Sequence, residues 1–107
     1  MILTTTETIA GKRIVRTVGL VKGNTIRARH IGRDILALLR ALVGGEISDY
    51  TKAIAEAREQ AIDRMVENAT EQGANAIVCV RFSTSYMMQG AAEILVFGTA
   101  VVVEDER

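Results

Sequence analysis

The stretch from Gly44 to Phe82 constrains the fold of this chain more than any other, because it has the parts of one complete supersecondary unit. After the glycine pair at its start, apolar residues recur every three or four positions, the pattern of an amphipathic helix. Ser48 or Asp49 can cap this helix, and Gly73 can end it, because glycine adopts the left-handed conformation without a steric penalty. The apolar run Ala76–Phe82 follows directly and predicts a buried strand.

Further strands are predicted on both sides of this unit. The segment Arg13–Val21 is rich in β-branched residues, which is typical of a strand, and Gly19 is expected to be a bulge or a point of close approach. A turn or bulge is expected at Lys22–Asn24. Ile2–Thr5 predicts a short first strand, and Ala92–Val103 predicts a long final one.

The remaining segments complete the predicted topology. Apolar spacing from Ile31 to Leu42 predicts a shorter helix, which Gly44-Gly45 separates from the long one. The polar segment Ser83–Gly90 is expected to be a loop or a flared hairpin, and the charged tail Glu104–Arg107 is expected to fray. The chain therefore predicts a single α+β domain over residues 1–107. Its antiparallel sheet of three to four strands would carry a long helix and a shorter helix on one face, in the order β-β-α-α-β-β.

The composition and the charge of the chain argue against several classes of function. Thirteen basic and thirteen acidic residues cancel, so that no overall attraction to nucleic acid or to a membrane is expected. The longest uncharged apolar stretch, Ile94–Val103, reaches about half of a membrane span. The N-terminus lacks the basic flank and the apolar run of a signal peptide, and the single cysteine, Cys79, suits a reducing compartment. We therefore expect a soluble, cytosolic protein.

The charges are distributed unevenly along the chain. Seven basic residues and no acid lie between Lys12 and Arg33. The predicted long helix carries an acidic ridge at helical spacing, which consists of Glu56, Glu59, Asp63, Glu67 and Glu71. The basic segment can face this ridge within one chain or across an interface, it can be solvated, or it can bind a polyanion. The first alternative is favoured, because a nucleic-acid surface gains from interleaved aromatic residues and this segment has none.

The last two predicted strands are apolar on both faces. A sheet that is covered on one side only alternates apolar and polar residues, yet Ile77–Val80 runs without alternation. In the final strand, Ile94 and Val96 occupy one face, while Leu95 and Phe97 occupy the other. Helices on one face cannot cover both, and an exposed apolar face is a liability in a monomer. The sequence therefore predicts a homo-oligomer.

Glycines, alanines and aromatic residues follow a recognisable order over nearly the whole chain. They are Gly19, Gly23, Gly44-Gly45, Tyr50, Ala57-Arg58, Ala61, Met65, Ala69, Gly73-Ala74-Asn75-Ala76 and Arg81-Phe82. In this order the chain resembles the YbjQ family of small bacterial and archaeal proteins, most specifically from Gly44 to Phe82. The resemblance implies an α+β subunit with an antiparallel sheet packed on helices, and assembly into a ring, with a pentamer expected. It also implies the family's usual description, heavy-metal binding.

Metal binding can be examined through the residue types present. Soft or transition metal ions take thiolate, thioether or imidazole ligands, usually several within a short spacing. The candidate metal ligands are Cys79, Met87, Met88 and His30, and they include no Cys-x-x-Cys and no histidine pair. A ring can still gather one ligand from each copy. The alternative, which the spacing within one chain favours, is that the methionines fill an interface and that Cys79 is a buried apolar residue.

Other hypotheses also place a site between copies. Candidate ligand-binding residues in clefts between subunits are Tyr50, Arg58, Arg81 and Tyr86. A thiol-dependent enzyme would use Cys79 as the nucleophile, with Arg81 nearby and His30 as the base. The predicted function is therefore ligand binding or assembly by a homo-oligomer, with heavy-metal binding as the form that the resemblance implies. The alternative is a small-molecule-binding protein or a thiol-dependent enzyme with sites at subunit interfaces.

Overall fold

The structure is a computed structural model that describes residues 1–28, 47–88 and 91–106, with the side chains of residues 1–26, 54–85 and 92–106. Within these ranges the chain forms four strands and one long helix. They are β1 (Ile2–Leu3), β2 (Lys12–Ala28), α1 (Ile47–Glu71), β3 (Ala76–Met88) and β4 (Ala91–Asp105).

The four strands form one mixed sheet in the order β1-β3-β4-β2. Strand β4 is antiparallel to both of its neighbours, whereas β1 is parallel to β3. The chain beyond β1 continues along the edge of β3, where the backbone amide of Thr4 donates to the carbonyl of Ile77 over 3.0 Å and that of Cys79 donates to Thr6 over 3.0 Å. The N-terminal segment thereby covers the edge of the first half of β3.

Two parts of the predicted fold class are wrong. The sheet is mixed and not purely antiparallel, because β1 and β3 are separated by most of the chain, which is long enough for a parallel connection. The described residues also follow the order β-β-α-β-β with one helix, in place of the predicted β-β-α-α-β-β with two. The shorter helix expected from Ile31 to Leu42, and the Gly44-Gly45 pair, lie outside the described residues.

The strands are longer than the sequence predicted. Lys22–Asn24 forms no turn and pairs in regular register with Leu95–Phe97, so that β2 continues to Ala28. Ser83–Ser85 was expected in a loop or a flared hairpin, and it pairs with Glu93–Leu95 within antiparallel strands β3 and β4, which confirms the hairpin and not the loop. These serines are exposed, and their polarity reflects that exposure and not an irregular backbone. The prediction of a bulge near Gly19 is confirmed by a register shift and by a φ of 137°.

The charged C-terminal segment is ordered and does not fray. Glu104 and Asp105 belong to β4 and form ion pairs with Arg13 and Lys12 of the neighbouring strand. The Lys12 ammonium, which donates a hydrogen bond to Asp105, holds the pKa of that carboxyl below its ordinary value. The prediction for this tail was wrong because it counted charges without the cross-strand partners that the register supplies.

Helix α1 packs on the sheet through its alanine-rich face, chiefly against β2 and β4. Ala57, Ala61 and Met65 are fully buried there. The approach is closest at Gly23, where an added Cβ would lie 2.0 Å from the carbonyl oxygen of Ala61. The buried hydroxyl of Thr25 donates to the Ala57 carbonyl over 3.2 Å and ties strand to helix at the same level. Glycine at position 23 therefore serves helix–strand contact and not a turn.

The end of α1 confirms the prediction for Gly73, which has a φ of 83°. The amide of Ala74 donates to the Ala69 carbonyl over 3.1 Å, and that of Gly73 donates to Thr70 over 3.0 Å. This pair of bonds is the Schellman motif, and both Ala69 and Ala74 are buried in the core beneath it. The motif leads the chain within three residues into β3.

A second core cluster lies on the sheet face opposite α1. It consists of Ala76, Val78, Val101 and Val103, packed against Ile9, Ile14 and Cys79. Ile9 precedes β2, so that the N-terminal part of the chain covers this end of the face that the helix leaves free. Asn75 closes the cluster, because its side chain accepts from the Val103 amide over 2.8 Å and donates to the Val103 carbonyl over 2.9 Å.

Candidate functional site

The other end of that sheet face is not covered by any of the residues that the structure describes. Residues 20–26 of β2, 81–85 of β3 and 93–99 of β4 pair without interruption, so their orientation follows from strand alternation. The neighbours Val21, Gly23 and Val96 are buried toward α1. The side chains that point the opposite way form what we term the open sheet face: Leu20, Lys22, Asn24, Ile26, Arg81, Ser83, Ser85, Glu93, Leu95 and Phe97.

Apolar residues of the open sheet face are strongly solvated. Leu20 is 68% exposed and Ile26 is 56% exposed, while Leu95 and Phe97 are half-buried. In the register, Leu20 lies diagonal to Phe97 and Ile26 lies diagonal to Leu95, within reach of each other on this face, and we term these four side chains the apolar patch. Of the described surface, this patch is the part most typical of a contact with another protein molecule.

A row of three side chains crosses the centre of the open sheet face. The register aligns Phe97 of β4 with Lys22 of β2 on one side and with Arg81 of β3 on the other. One guanidinium nitrogen of Arg81 donates to the carbonyls of Thr5 and Val80, both over 2.9 Å, so that the N-terminal segment holds the arginine in place. Neither cation forms an ion pair with any acid among the described residues. The row therefore presents an aromatic ring between two uncompensated positive charges.

The acidic ridge of α1 lies on the other side of the molecule. Glu56, Glu59 and Asp63 are exposed, and Ala55 and Gln60 complete with them a shallow depression of about 410 Å³ on the helix surface. In the described part of the chain, the ion pairs join Lys12 and Arg13 to the C-terminal strand and leave the ridge out. The predicted contact between the basic segment and the ridge is therefore not made within one copy by the residues described.

Cys79 occupies a bulge of β3, where the register shifts between Val78 and Arg81. Its φ is 57°, the left-handed region in which glycine is the usual residue of such a bulge. The side chain is half-buried against the second core cluster. The cysteine is thus a residue in a strained backbone position that packs against the apolar side chains of the second core cluster.

Two of the predicted metal ligands, Cys79 and Met87, are far apart in the described part of the chain. Cys79 and Met87 are eight positions apart along β3, which corresponds to roughly 25 Å. The side chains of Met87 and Met88, and His30 as a whole, lie outside the described residues. Among the described residues no three His, Cys, Asp or Glu side chains are grouped to hold a metal ion. A metal site in one copy therefore finds no support in the part of the chain that is described.

The predicted ligand-binding residues are likewise separated. Arg58 is exposed on α1, whereas Arg81 lies on the open sheet face, with the sheet between them. Tyr50 falls within α1 and Tyr86 within β3, and the side chains of both lie outside the described residues. Sequence reasoning missed Lys22 and Phe97, because their alignment with Arg81 depends on the register of three strands that are far apart in sequence.

The fold defines a class of small α+β protein in which one long helix packs on a mixed sheet. The model of the YbjQ family, described as "Putative heavy-metal-binding", matches residues 1–104, and the chain belongs to this family. A protein of Dehalococcoides mccartyi strain 195 named "UPF0145 protein" is 64% identical over 104 residues, covering 97% of this chain and 100% of that protein. A UPF0145 protein of Methanosarcina acetivorans is 57% identical over 103 residues, covering 96% and 97%.

A solved structure supports the same fold. The crystal structure of a protein of unknown function from Pediococcus pentosaceus, assigned to the DUF74 family, superposes with a TM-score of 0.66 over 97% of this chain and 98% of that one. Its sequence identity is 16%, so the likeness concerns the fold alone. Within the described ranges, no helix has both the length and the apolar character needed to cross a membrane.

Proposed function

We propose that this chain functions as a homo-oligomeric binding protein, in which the open sheet face of each copy is covered by another copy and ligand sites form between copies. The observation that carries the proposal is the solvated apolar patch on that face, marked by the 68% exposure of Leu20. Each Å² of apolar surface removed from water contributes about 25 cal/mol, so that covering the patch stabilises the assembly.

The dimensions of the elements support this proposal. Strand β2 has 17 residues and β4 has 15, so they extend about 50 Å or more, whereas strands in globular proteins usually have about 5 to 6 residues. The described helix packs on one side of the sheet only. Among the described residues, the opposite side has its own cover at the Val101–Val103 end and none at the Leu20–Ile26 end. A second copy supplies the missing layer.

Ligand binding between copies follows from the separation of the candidate residues. Because Cys79 and Met87 cannot reach the same ion within one chain, a soft-metal site requires equivalent residues from several copies. The family description favours a heavy-metal ligand, and the ring that the family resemblance implies, with five copies expected, would gather Cys79, Met87, Met88 and His30 once per copy. Metal binding is therefore the form of ligand binding that we propose.

The oligomeric part is tested by light scattering coupled to size-exclusion chromatography. Wild-type protein at about micromolar concentration should elute as a multimer, and a monomer would contradict the proposal. Leu20→Asp and Ile26→Asp place a negative charge in the patch and should lower the multimer fraction. Ala10→Asp is the matched control, because Ala10 is exposed and lies outside both the open sheet face and the acidic ridge. An equal loss of assembly in the control would mean that the patch is not the contact.

The metal part is tested separately by calorimetric titration of the reduced multimer with Zn²⁺ and, without oxygen, with Cu⁺. Binding should weaken when Cys79→Ser, Met87→Leu, Met88→Leu or His30→Ala is introduced, since each removes one ligand per copy. Unchanged affinity in all four variants, or no binding in the wild type, would reject metal binding and leave the oligomeric part standing.

A further inference from the structure

The open sheet face and the acidic ridge of α1 have complementary features on opposite sides of one molecule. On the sheet, the ring of Phe97 lies between the cations Lys22 and Arg81. On the helix, the shallow depression lined by Ala55 and Glu59 lies between the carboxylates of Glu56 and Asp63. Both sets of charges lack an ion-pair partner among the described residues.

The backbone spacing of the charged residues also matches. Lys22 and Arg81 are two strand intervals apart across β4, which is about 9.6 Å. Glu56 and Asp63 are seven positions apart on α1, which is two turns, so they point the same way at a separation of about 10.5 Å. A helix laid across the strands of the open sheet face can therefore bring each carboxylate to one cation while Phe97 enters the depression.

We propose that the acidic ridge of one copy docks on the open sheet face of the next copy, with Glu56 and Asp63 paired to Lys22 and Arg81 and with Phe97 in the depression between the carboxylates. This inference rests on the proposed function, to which it adds the identity of both contacting surfaces. The two surfaces are different and face away from each other, so the contact is heterologous, and repetition of it builds a ring when the rotation closes. The partner is thus a second copy of this chain.

Electrostatics assigns a role to each part of the contact. The ion pairs set the register and exclude a like-charged surface, because like charges placed together at an interface cost several kcal/mol. The apolar patch around Phe97 supplies the burial that charge pairs near a solvated rim do not. Assembly should accordingly weaken as ionic strength rises, since screening shortens the reach of the charges.

Charge reversal tests this contact with its own internal rescue. The double variant Lys22→Glu with Arg81→Glu sets acids against acids, and Glu56→Lys with Asp63→Lys sets bases against bases. We expect the protein concentration at which the multimer dissociates, measured by light scattering at low salt, to be at least about tenfold higher for each double variant than for the wild type. A tenfold change requires a loss of only about 1.4 kcal/mol in the free energy of association. The variant that carries all four substitutions restores opposite charges and should reassemble. Glu106→Lys, at an exposed acid outside both surfaces, is the control.

The outcomes separate the two proposals. A monomeric wild type overturns both. A multimeric wild type whose assembly is unaffected by either double variant overturns the docking contact alone, as does failure of the fourfold variant to reassemble while it keeps native circular dichroism. Arg81 also donates hydrogen bonds to Thr5 and Val80, so its replacement could disturb the fold. A second test therefore keeps Arg81 and combines Lys22→Glu with either Glu56→Lys or Asp63→Lys, which leaves those hydrogen bonds intact. Rescue in neither combination also counts against the contact.

Discussion

Replacement of Gly23 by alanine should destabilise the fold more than any other single methyl addition considered for this chain. The new Cβ would lie 2.0 Å from the Ala61 carbonyl oxygen and 2.5 Å from the Met65 amide nitrogen. Real Cβ atoms essentially never come within 3.0 Å of such atoms. Because both obstacles belong to the backbone of α1, no side-chain rotamer can relieve the contact, and the helix has to move away from β2 by about 1 Å or more.

The magnitude follows from what that movement disrupts. Overpacking of a well-packed core costs about 1–3 kcal/mol, and here the upper part of that range applies because the collision is between main chains. The bond from the Thr25 hydroxyl to the Ala57 carbonyl is already 3.2 Å long, and its loss leaves a buried hydroxyl unsatisfied at a cost of about 1–3 kcal/mol. The expected loss in the free energy of unfolding is therefore about 3–5 kcal/mol, a large part of the about 5–15 kcal/mol that stabilises a typical domain.

Urea denaturation followed by circular dichroism measures this loss, at two protein concentrations so that any contribution from assembly is recognised. Gly11→Ala is the matched control, because the same methyl group is added where nothing lies within 4 Å. Its φ of 77° alone should cost about 1–2 kcal/mol. A Gly23→Ala variant that is no less stable than Gly11→Ala would refute the inference that backbone contact fixes the position of the helix.

Three further changes test other parts of the structure. Cys79→Gly should be more stable than Cys79→Val by about 2 kcal/mol in thermal unfolding, because the φ of 57° suits glycine and opposes a β-branched residue, and an equal or inverted order would exclude strain at this bulge. Asn75→Ala should lower the free energy of unfolding by about 1–3 kcal/mol, since both hydrogen bonds to Val103 are lost, and a change near zero would show that solvent replaces them. The pKa of Asp105 is lowered in the folded state, so its pairing with Lys12 stabilises the protein above the unfolded-state pKa and this contribution disappears as the pH falls through the folded-state pKa. The stability difference between wild type and Asp105→Asn should therefore be small but larger at neutral pH than in strong acid, and a difference that grows on acidification would reverse the assigned sign.

The sequence predicted those elements whose signals are local. The long helix and its end at Gly73 depend on spacing and on a backbone conformation that glycine favours, and both are confirmed. Gly23 was assigned wrongly to a turn or bulge, because a glycine within a strand signals a turn, a bulge or a close approach equally well until the position of the helix is known. The parallel pairing of β1 was missed because strand direction depends on partners distant in sequence.

The candidate site shows the same limit more strongly. Alternation along the final strand predicted that Leu95 and Phe97 share the face opposite to Ile94 and Val96, and the structure shows that this is the open sheet face. No local pattern could place Phe97 between Lys22 and Arg81, since that row joins three strands through their registers. The polar character of Ser83 and Ser85 indicated that they are exposed. It did not distinguish a loop from the solvent-facing side of a strand.

The contact at Gly23 has a mechanical consequence. When two packed elements shift slightly, the side chains between them normally accommodate the displacement by changing rotamer. At Gly23 the main chain of β2 contacts the main chain of α1 directly, so we expect the two elements to move as one rigid unit. The open sheet face and the acidic ridge lie on the two opposite sides of this unit. In the assembly that we propose, a load applied to one of these surfaces would therefore be transmitted to the other, and copies joined through both surfaces would respond together and not one at a time.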